Sequence, residues 1–256
     1  MSNKIYPIYI ASKNRPEGKL LELIKNLDTK KYIIIEPQDE NKYKQWGKFY
    51  NIIKLNKNDQ GLYYARDFTK NYAEKQKEPW YWVIDDDISN FYKSYNNKNH
   101  KITPEEALYE AQNFFNLMPI SLGSLEYQQY SWSQKKEFRL NGYADCCVCF
   151  NKERTLNVKY DLNFALKGDR DIALQILNKK KYIMRCLKLS FSCPTFGANK
   201  GGLHEVYNKL NLEKEMSVKL AKKWGKKLVT LQIKNTNGEE RYDAKINWNR
   251  YKVNIT

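Results

Sequence analysis

Trp80-Tyr81-Trp82-Val83-Ile84-Asp85-Asp86-Asp87-Ile88 sets an unbroken apolar and aromatic run directly before three carboxylates. A short continuous run of that kind reads as a strand buried on both faces. Three adjacent carboxylates at its end repel one another, so holding them ionised together calls for a cation. Hard oxygen ligands suit Mg²⁺ or Mn²⁺. A divalent metal there would in turn neutralise a diphosphate, which points to a nucleotide substrate. The plain alternative is an exposed acidic turn.

Upstream, strand patterns at residues 5–11, 32–36 and 51–55 alternate with helical patterns at 17–26 and 62–76, the second opening after Gly61. Residues 39–48 read as a short polar helix or loop. Apolar strands spaced by helices predict an α/β fold with a mostly parallel central sheet flanked by helices. Ligands bind outside the carboxyl ends of such strands. Here those ends are Ser12-Lys13-Asn14-Arg15, Glu36-Pro37-Gln38-Asp39, residues 56–61 and Asp85-Asp86-Asp87.

Downstream the pattern is less regular. Thr103 reads as the cap of a helix starting at Pro104, with Glu105 and Glu106 in its first turn. Strands follow at 120–126 and 143–150, separated by a loop at 127–140 rich in Gln, Lys and aromatics. A helix at 172–177 and a strand at 183–191 precede the glycine-bearing stretch 196–204. The last fifty residues hold a basic helix at 212–223, the run Lys222-Lys223-Trp224-Gly225-Lys226-Lys227, and a hairpin turn at Asn237-Gly238.

The chain has 256 residues, with 45 Lys and Arg against 29 Asp and Glu, a net charge of +16. Its 20 Tyr, 10 Phe and 6 Trp exclude a disordered polycation, and its 7 Pro and 11 Gly exclude a collagenous or linker-like chain. No apolar run approaches the ~20 residues of a membrane span, and the first residues lack a leader pattern. A cytoplasmic location without membrane attachment is therefore expected, in the host cell if the gene is carried by a phage. The charge favours a polyanionic partner, nucleic acid first. The alternative is a Lys- and Asn-rich composition with no such meaning. Cys146, Cys147, Cys149, Cys186 and Cys193 lack paired zinc-ribbon spacings and read as reduced, buried thiols.

Two further features carry chemistry. In Gly168-Asp169-Arg170-Asp171, one carboxylate can cap the following helix while the other projects toward the cleft as a general base. His204, beyond the pair Gly201-Gly202, could turn back to the acidic cluster as a nitrogen ligand of the metal. His100, in the run Asn96 to His100, reads as a solvated loop residue.

Taken in chain order, these features look like the GT-A fold. More narrowly, the stretches 8–16, 35–39, 58–66 and 82–88 resemble the TET/JBP-associated glycosyltransferase family, which includes the base J glucosyltransferase of kinetoplastids and phage enzymes that glycosylate hydroxymethylated pyrimidines in DNA. The resemblance is densest over residues 5–91. It implies that Asp85, Asp86 and Asp87 are the DxD-type motif, with Asp85 and Asp86 on the nucleotide-sugar and Asp87, with Asp85 and His204, on Mn²⁺ or Mg²⁺. Ser12, Lys13, Asn14, Arg15, Glu36, Gln38, Gly61 and Arg66 would line the nucleotide-sugar pocket. Gly168 to Asp171 resembles the Glu-Asp-x-Asp motif of inverting enzymes, with Gly168 in place of Glu. That leaves Asp169 and Asp171 as the candidate catalytic pair, Asp169 first.

The implied reaction is metal-dependent inverting transfer of a sugar, glucose above others, from a UDP-sugar to the hydroxymethyl group of 5-hydroxymethyluracil or 5-hydroxymethylcytosine in DNA. Lys135, Lys136, Lys222, Lys223, Trp224, Lys226 and Lys227 are the candidates for DNA contact. The expected layout is a GT-A core over 1–205, divided near residue 92 into nucleotide-sugar and acceptor halves, and a basic C-terminal extension over 206–256 packed on it. Three alternatives stay open: a GT-A enzyme acting on a glycan or protein, a nucleotidyltransferase, and an inert nucleotide- or DNA-binding module.

Overall fold

The computed structural model describes residues 4–194, 211–236 and 239–253. In chain order its elements are β1 (Ile8–Ala11), α1 (Lys19–Ile24), β2 (Lys31–Ile35), α2 (Glu40–Tyr43), β3 (Asn51–Lys54), α3 (Leu62–Glu74), β4 (Trp80–Ile84), β5 (Asn90–Tyr95), β6 (Lys98–Ile102) and α4 (Pro104–Asn116). There follow β7 (Ile120–Tyr127), α5 (Gln128–Ser131), β8 (Phe138–Leu140), β9 (Cys147–Asn151), α6 (Lys152–Thr155), α7 (Gly168–Asn178), β10 (Tyr182–Ser192), α8 (Leu212–Trp224), β11 (Val229–Thr236) and β12 (Glu239–Ile246).

One ten-stranded sheet runs in the order β3-β2-β1-β4-β9-β7-β10-β5-β6, with β8 paired to β10. The first four strands are parallel. β9 is antiparallel to both its neighbours, so β7 and the parallel β10 keep the direction of β4. The sheet is therefore mostly parallel, with β9, β8 and β5 reversed. Its order turns back at β1, which lies between β2 and β4, and this is where an α/β sheet opens a crevice at its carboxyl edge.

Alternation along the parallel strands explains their unbroken apolar sequences. Ile8, Ile10, Ile33, Ile35, Trp80, Trp82 and Ile84 face one layer, packed with Leu20, Leu21 and Ile24 of α1 and Ala107, Leu108, Ala111 and Phe115 of α4. Tyr9, Tyr32, Ile34, Tyr81 and Val83 face the other, with Tyr63 and Ala73 of α3 and the apolar side of α7. Both faces are covered, so neither can be polar. Met216 and Leu220 of α8, Val229 of β11, and Ala244 and Ile246 of β12 join this second layer. No helix among the described residues is long and apolar enough to cross a membrane.

Several boundaries differ from the sequence reading. Residue 92 lies in β5, which the chain reaches by crossing from β4 to the far part of the sheet. The segment read as a polar loop is a β5–β6 hairpin: Asn96 and Asn97, with φ of 51° and 55°, form its two-residue turn. His100 is consequently not a solvated loop residue; its ring stacks on Tyr95 at 3.7 Å. The segment 127–140 is not all loop either, since it contains α5 and β8. Cys147, Cys149 and Cys186 are buried, and the five cysteines carry no disulfide. The hairpin turn at Asn237-Gly238 lies outside the described residues.

Gly123 in β7 shows how closely the first layer packs. A Cβ placed there would lie 2.4–2.5 Å from the Phe115 ring, which is itself fully buried. Gly123→Ala is expected to destabilise the protein by about 1–3 kcal/mol through overpacking. Differential scanning calorimetry should register a fall in Tm of several degrees.

Candidate active site

The carboxyl ends of β1, β2, β3 and β4 converge on one polar wall. Ser12 and Asp86 are buried, and the Ser12 hydroxyl lies 2.5 Å from Asp86 Oδ2 and 2.7 Å from the Tyr43 hydroxyl. Arg15 donates from Nη1 to Asp86 Oδ1 at 3.0 Å, and its backbone N–H donates to the Tyr43 hydroxyl at 2.9 Å. The loop after β1 is thus pinned to the loop after β4 across the crevice. Burial pushes the Asp86 carboxyl up, against the pull of Arg15 and Ser12.

A second cluster closes the opposite end of this wall. Glu36 accepts from Gln38 Nε2 at 2.6 Å and from the backbone N–H of Asp59 at 2.9 Å, and Lys13 lies 3.2 Å from its carboxylate. Lys13 also donates to Asp59 at 2.5 Å. The Asn14 N–H donates to Asp39, a buried carboxylate that also takes Lys42. Ser12 to Arg15, Glu36 and Gln38 are therefore one connected set. Asp39 and Asp59, within the strand-end stretches marked by the sequence, belong to it without having been assigned a role, and Tyr43, beyond the end of β2, joins them unmarked. Gly61 starts α3 at φ 86°, a conformation that side chains disfavour.

The three carboxylates after β4 have three different environments. Asp85 accepts from Arg66 Nη2 at 2.7 and 3.0 Å, and Asp86 holds Ser12 and Arg15. Asp87 is 28% exposed and meets Arg15 only at 3.6 Å. Its carboxyl is pushed up to about 7 by burial and by the charges of Asp85 and Asp86. Among the described residues the cation beside it, Arg15, is shared with Asp86, so the carboxylates outnumber the positive charge there, and the cluster fits a divalent metal held by one carboxylate together with phosphate oxygens and water. Asp85, expected as a metal ligand, has both oxygens within hydrogen-bond distance of Arg66 Nη2. His204 lies outside the described residues, and among those described no three His, Cys, Asp or Glu side chains converge as a metal site.

Arg66 is the hinge of the arrangement. Expected in the nucleotide pocket, it is 5% exposed and bridges two carboxylates: Nη2 reaches Asp85, and Nη1 reaches Asp169 at the start of α7. Burial opposes its charge, but Asp169 and Asp85 hold its proton more firmly than usual. It therefore ties the acidic motif to the candidate base and is not open to a ligand from solvent. The Tyr63 hydroxyl lies 3.2 Å from the other Asp169 oxygen. Burial pushes Asp169 up to about 6 against the pull of Arg66, with Asp145 and Asp85 adding to the rise. A carboxylate tuned upward in this way is suited to take a proton near neutral pH.

The Tyr63 ring also explains why position 168 is glycine: a Cβ there would lie 2.5–2.6 Å from ring atoms. Asp171 lies on another side of the helix. Two residues turn an α-helix by about 200°, and Asp171 is fully buried, accepting from Trp224 Nε1 at 2.8 Å, Lys223 Nζ at 2.9 Å and Gln175 Nε2 at 2.7 Å. These contacts remove Asp171 from the candidate bases. Trp224, half-buried, is engaged in the same contact, and Lys223 shares its ammonium between Asp171 and Asp161 while its side chain stays about one third exposed, 35%. Lys135, Lys136, Lys222, Lys226 and Lys227 are exposed.

On the β7 side, Asp145 and Arg185 are buried beside this site. Asp145 accepts from the Tyr127 hydroxyl at 2.6 Å, and Arg185 lies 3.0 Å from Glu126. The adjacent Cys146, at φ 55°, accepts the Asp85 N–H through its carbonyl at 2.8 Å. This buried wall was not anticipated, because its charged residues sit in segments read only as strand and loop.

The comparisons agree with this architecture. A crystal structure of S. aureus TarS 1-349 superposes with a TM-score of 0.54 at 8% identity, over 85% of this chain and 65% of that one. The same TarS fragment in complex with UDP gives 0.52 at 8% identity, over 85% and 65%. The chain thus spans about two thirds of the length of those structures, and at such identity the likeness is one of fold: GT-A-like. No curated protein matches the sequence. The model of TET-Associated Glycosyltransferase matches residues 6–202, from the strand before the β1 loop to the region beyond β10. With that match covering most of its length and both acidic motifs, the chain belongs to the TET-associated glycosyltransferase family.

Proposed function

We propose that the protein is a metal-dependent inverting glycosyltransferase that moves a sugar, glucose above others, from a UDP-sugar to the hydroxymethyl group of a modified pyrimidine in DNA. The observation that carries the reading is the Asp85–Arg66–Asp169 bridge. It sets a tuned carboxylate base and a partly exposed acidic motif side by side at the edge of the sheet where α/β folds bind nucleotides. Asp169 takes the proton of the acceptor hydroxyl as its oxygen attacks the anomeric carbon. The bond from that carbon to the UDP oxygen breaks in line, and inversion follows. Asp87 would hold Mn²⁺ or Mg²⁺ here, and the ion would offset the charge of the diphosphate. Ser12 to Arg15, Glu36 and Gln38 frame the nucleotide.

The DNA acceptor rests on family membership, the net charge of +16 and the surface near α5. Tyr95, Tyr130 and Trp132 are each about half exposed, and Tyr130 and Trp132 lie close in sequence to Lys135 and Lys136. A hydrogen bond between Ser94 and Ser131 joins the two segments that carry them. Exposed aromatic rings with lysines suit bases and phosphates, and an enzyme acting on a base within a duplex gains access by flipping it out.

The test is sugar transfer from a panel of UDP-sugars, with Mn²⁺ or Mg²⁺, to duplexes containing 5-hydroxymethyluracil, 5-hydroxymethylcytosine or unmodified bases, read as released UDP and nucleoside mass. A hexose is expected on a hydroxymethyl base only, with binding weakening steeply as salt rises. Asp87→Ala is expected to abolish transfer and the metal-dependent part of UDP binding, read by calorimetry with and without Mn²⁺. Release of UDP with no change in DNA mass would overturn the acceptor and leave a glycan or protein in its place.

A further inference from the structure

We propose that the C-terminal segment formed by α8, β11 and β12 positions the catalytic base, with Asp243 as its central positioning residue. This rests on the reading of Asp169 as the base. Every residue within two positions of Asp169, apart from Gly168, is held by this segment. Lys167 Nζ lies 2.9 Å from Asp243 Oδ1 and 3.5 Å from Glu213. Arg170 donates to Asp243 at 2.6 Å and to the Ala244 carbonyl at 2.5 Å. Asp171 takes Trp224 Nε1 and Lys223 Nζ. Asp169 alone faces the other way, toward Arg66 and Tyr63.

These contacts occupy about one helical turn, so together they set both the rotation of α7 and its advance along its axis. The backbone needs such restraint. Lys167 caps α7 in the left-handed region, at φ 71° and ψ 6°, with no side-chain hydrogen bond to the helix end. A non-glycine residue persists there when its surroundings impose it, and here the imposing groups are Asp243 and Glu213. Burial disfavours the Asp243 charge, yet the hydrogen bonds and charges of Arg170 and Lys167 hold its carboxyl well below the usual range. The match to the family ends at residue 202, so the groups that fix the base come from chain beyond the matched part.

The expectation is a separation of binding from turnover. In Asp243→Asn, kcat for transfer should fall about tenfold or more, as expected for a displaced reacting group. The KM for UDP-sugar and the affinity for UDP should stay within about twofold, because Lys167 and Arg170, which Asp243 holds, belong to the start of α7 and not to the loops that frame the nucleotide. Asp243→Glu should recover part of kcat. Trp224→Phe, which removes the hydrogen bond to Asp171, should reproduce the same split. Amide hydrogen exchange, which needs no turnover, should quicken in residues 168–171 of Asp243→Asn while α3 keeps its protection.

Two results overturn the proposal. One is unchanged exchange and kcat in Asp243→Asn. The other is a joint fall of UDP affinity, Tm and kcat in step with the folded fraction, which is the mark of a merely structural contact. If the wild-type protein transfers no sugar to any acceptor, the functional reading fails by itself, and the exchange arm alone decides whether this segment fixes the start of α7.

Discussion

Asp169→Asn is expected to lower sugar transfer by about 10²–10⁴-fold, the usual contribution of a positioned general base, while UDP affinity changes by less than about threefold. Asparagine has nearly the shape of aspartate, so α7 keeps its place and the loss is chemical. The wild-type pH profile supplies the matching observation. Asp169 serves only when deprotonated, and burial with its neighbours pushes it up to about 6. The rate should therefore rise with pH through about 6 and then level, and this acid limb should vanish in the residual activity of the variant. The groups facing that carboxyl are Arg66 and Tyr63 of α3, Asp85 after β4, and Asp145 and Tyr143 before β9. Retention of most of the activity by Asp169→Asn would place the base elsewhere.

The second large effect belongs to Arg66→Met. Methionine fills the space of the side chain but leaves Asp85 and Asp169 facing each other without the guanidinium between them. Removing one partner of a buried ion pair costs about 3–5 kcal/mol. Because Asp85 keeps contact with solvent, the lower end applies. Calorimetry should show Tm lower by roughly 6–12 °C in a chain of this size. The acid limb of the remaining activity should move to higher pH, since Arg66 favours the ionised form of Asp169. Arg66→Lys should fall between the two, because one ammonium cannot span both carboxylates as the guanidinium fork does. A stable Arg66→Met protein with an unmoved pH profile would contradict the bridge.

The parallel half of the fold was legible because its signals are local. Apolar strands of four or five residues, Gly61 before α3 and the acidic triplet after β4 all act within a few positions of the chain. The β5–β6 hairpin was less visible, since residues 90–102 mix polar and aromatic side chains. Its one strong sign, Asn96-Asn97 between alternating residues, was read as part of a polar run. What the sequence could not reveal were pairings over long separations. Arg66 and Asp169 are 103 positions apart. Asp169 and Asp171 are two apart, and only the rotation of the helix and the presence of α8 tell the cleft-facing carboxylate from the buried one. The basic run 222–227 divided for the same reason: charge is read from sequence, but the hydrogen bonds of Lys223 and Trp224 to Asp171 are not.

The contact between Lys167 and Asp243 closes a loop of 76 residues. At synthesis rates of roughly 5–20 residues per second, several seconds separate the emergence of its two ends from the ribosome. Throughout that interval the nascent chain already carries both acidic motifs and the parallel strands, while Ile172, Leu174 and Ile176 of α7 await the apolar partners from α8 and β12 that complete their layer. The geometry of the base is thus completed only after the whole family-matched stretch has been made. A truncated or stalled chain would retain the nucleotide-framing loops without the segment that fixes the start of α7.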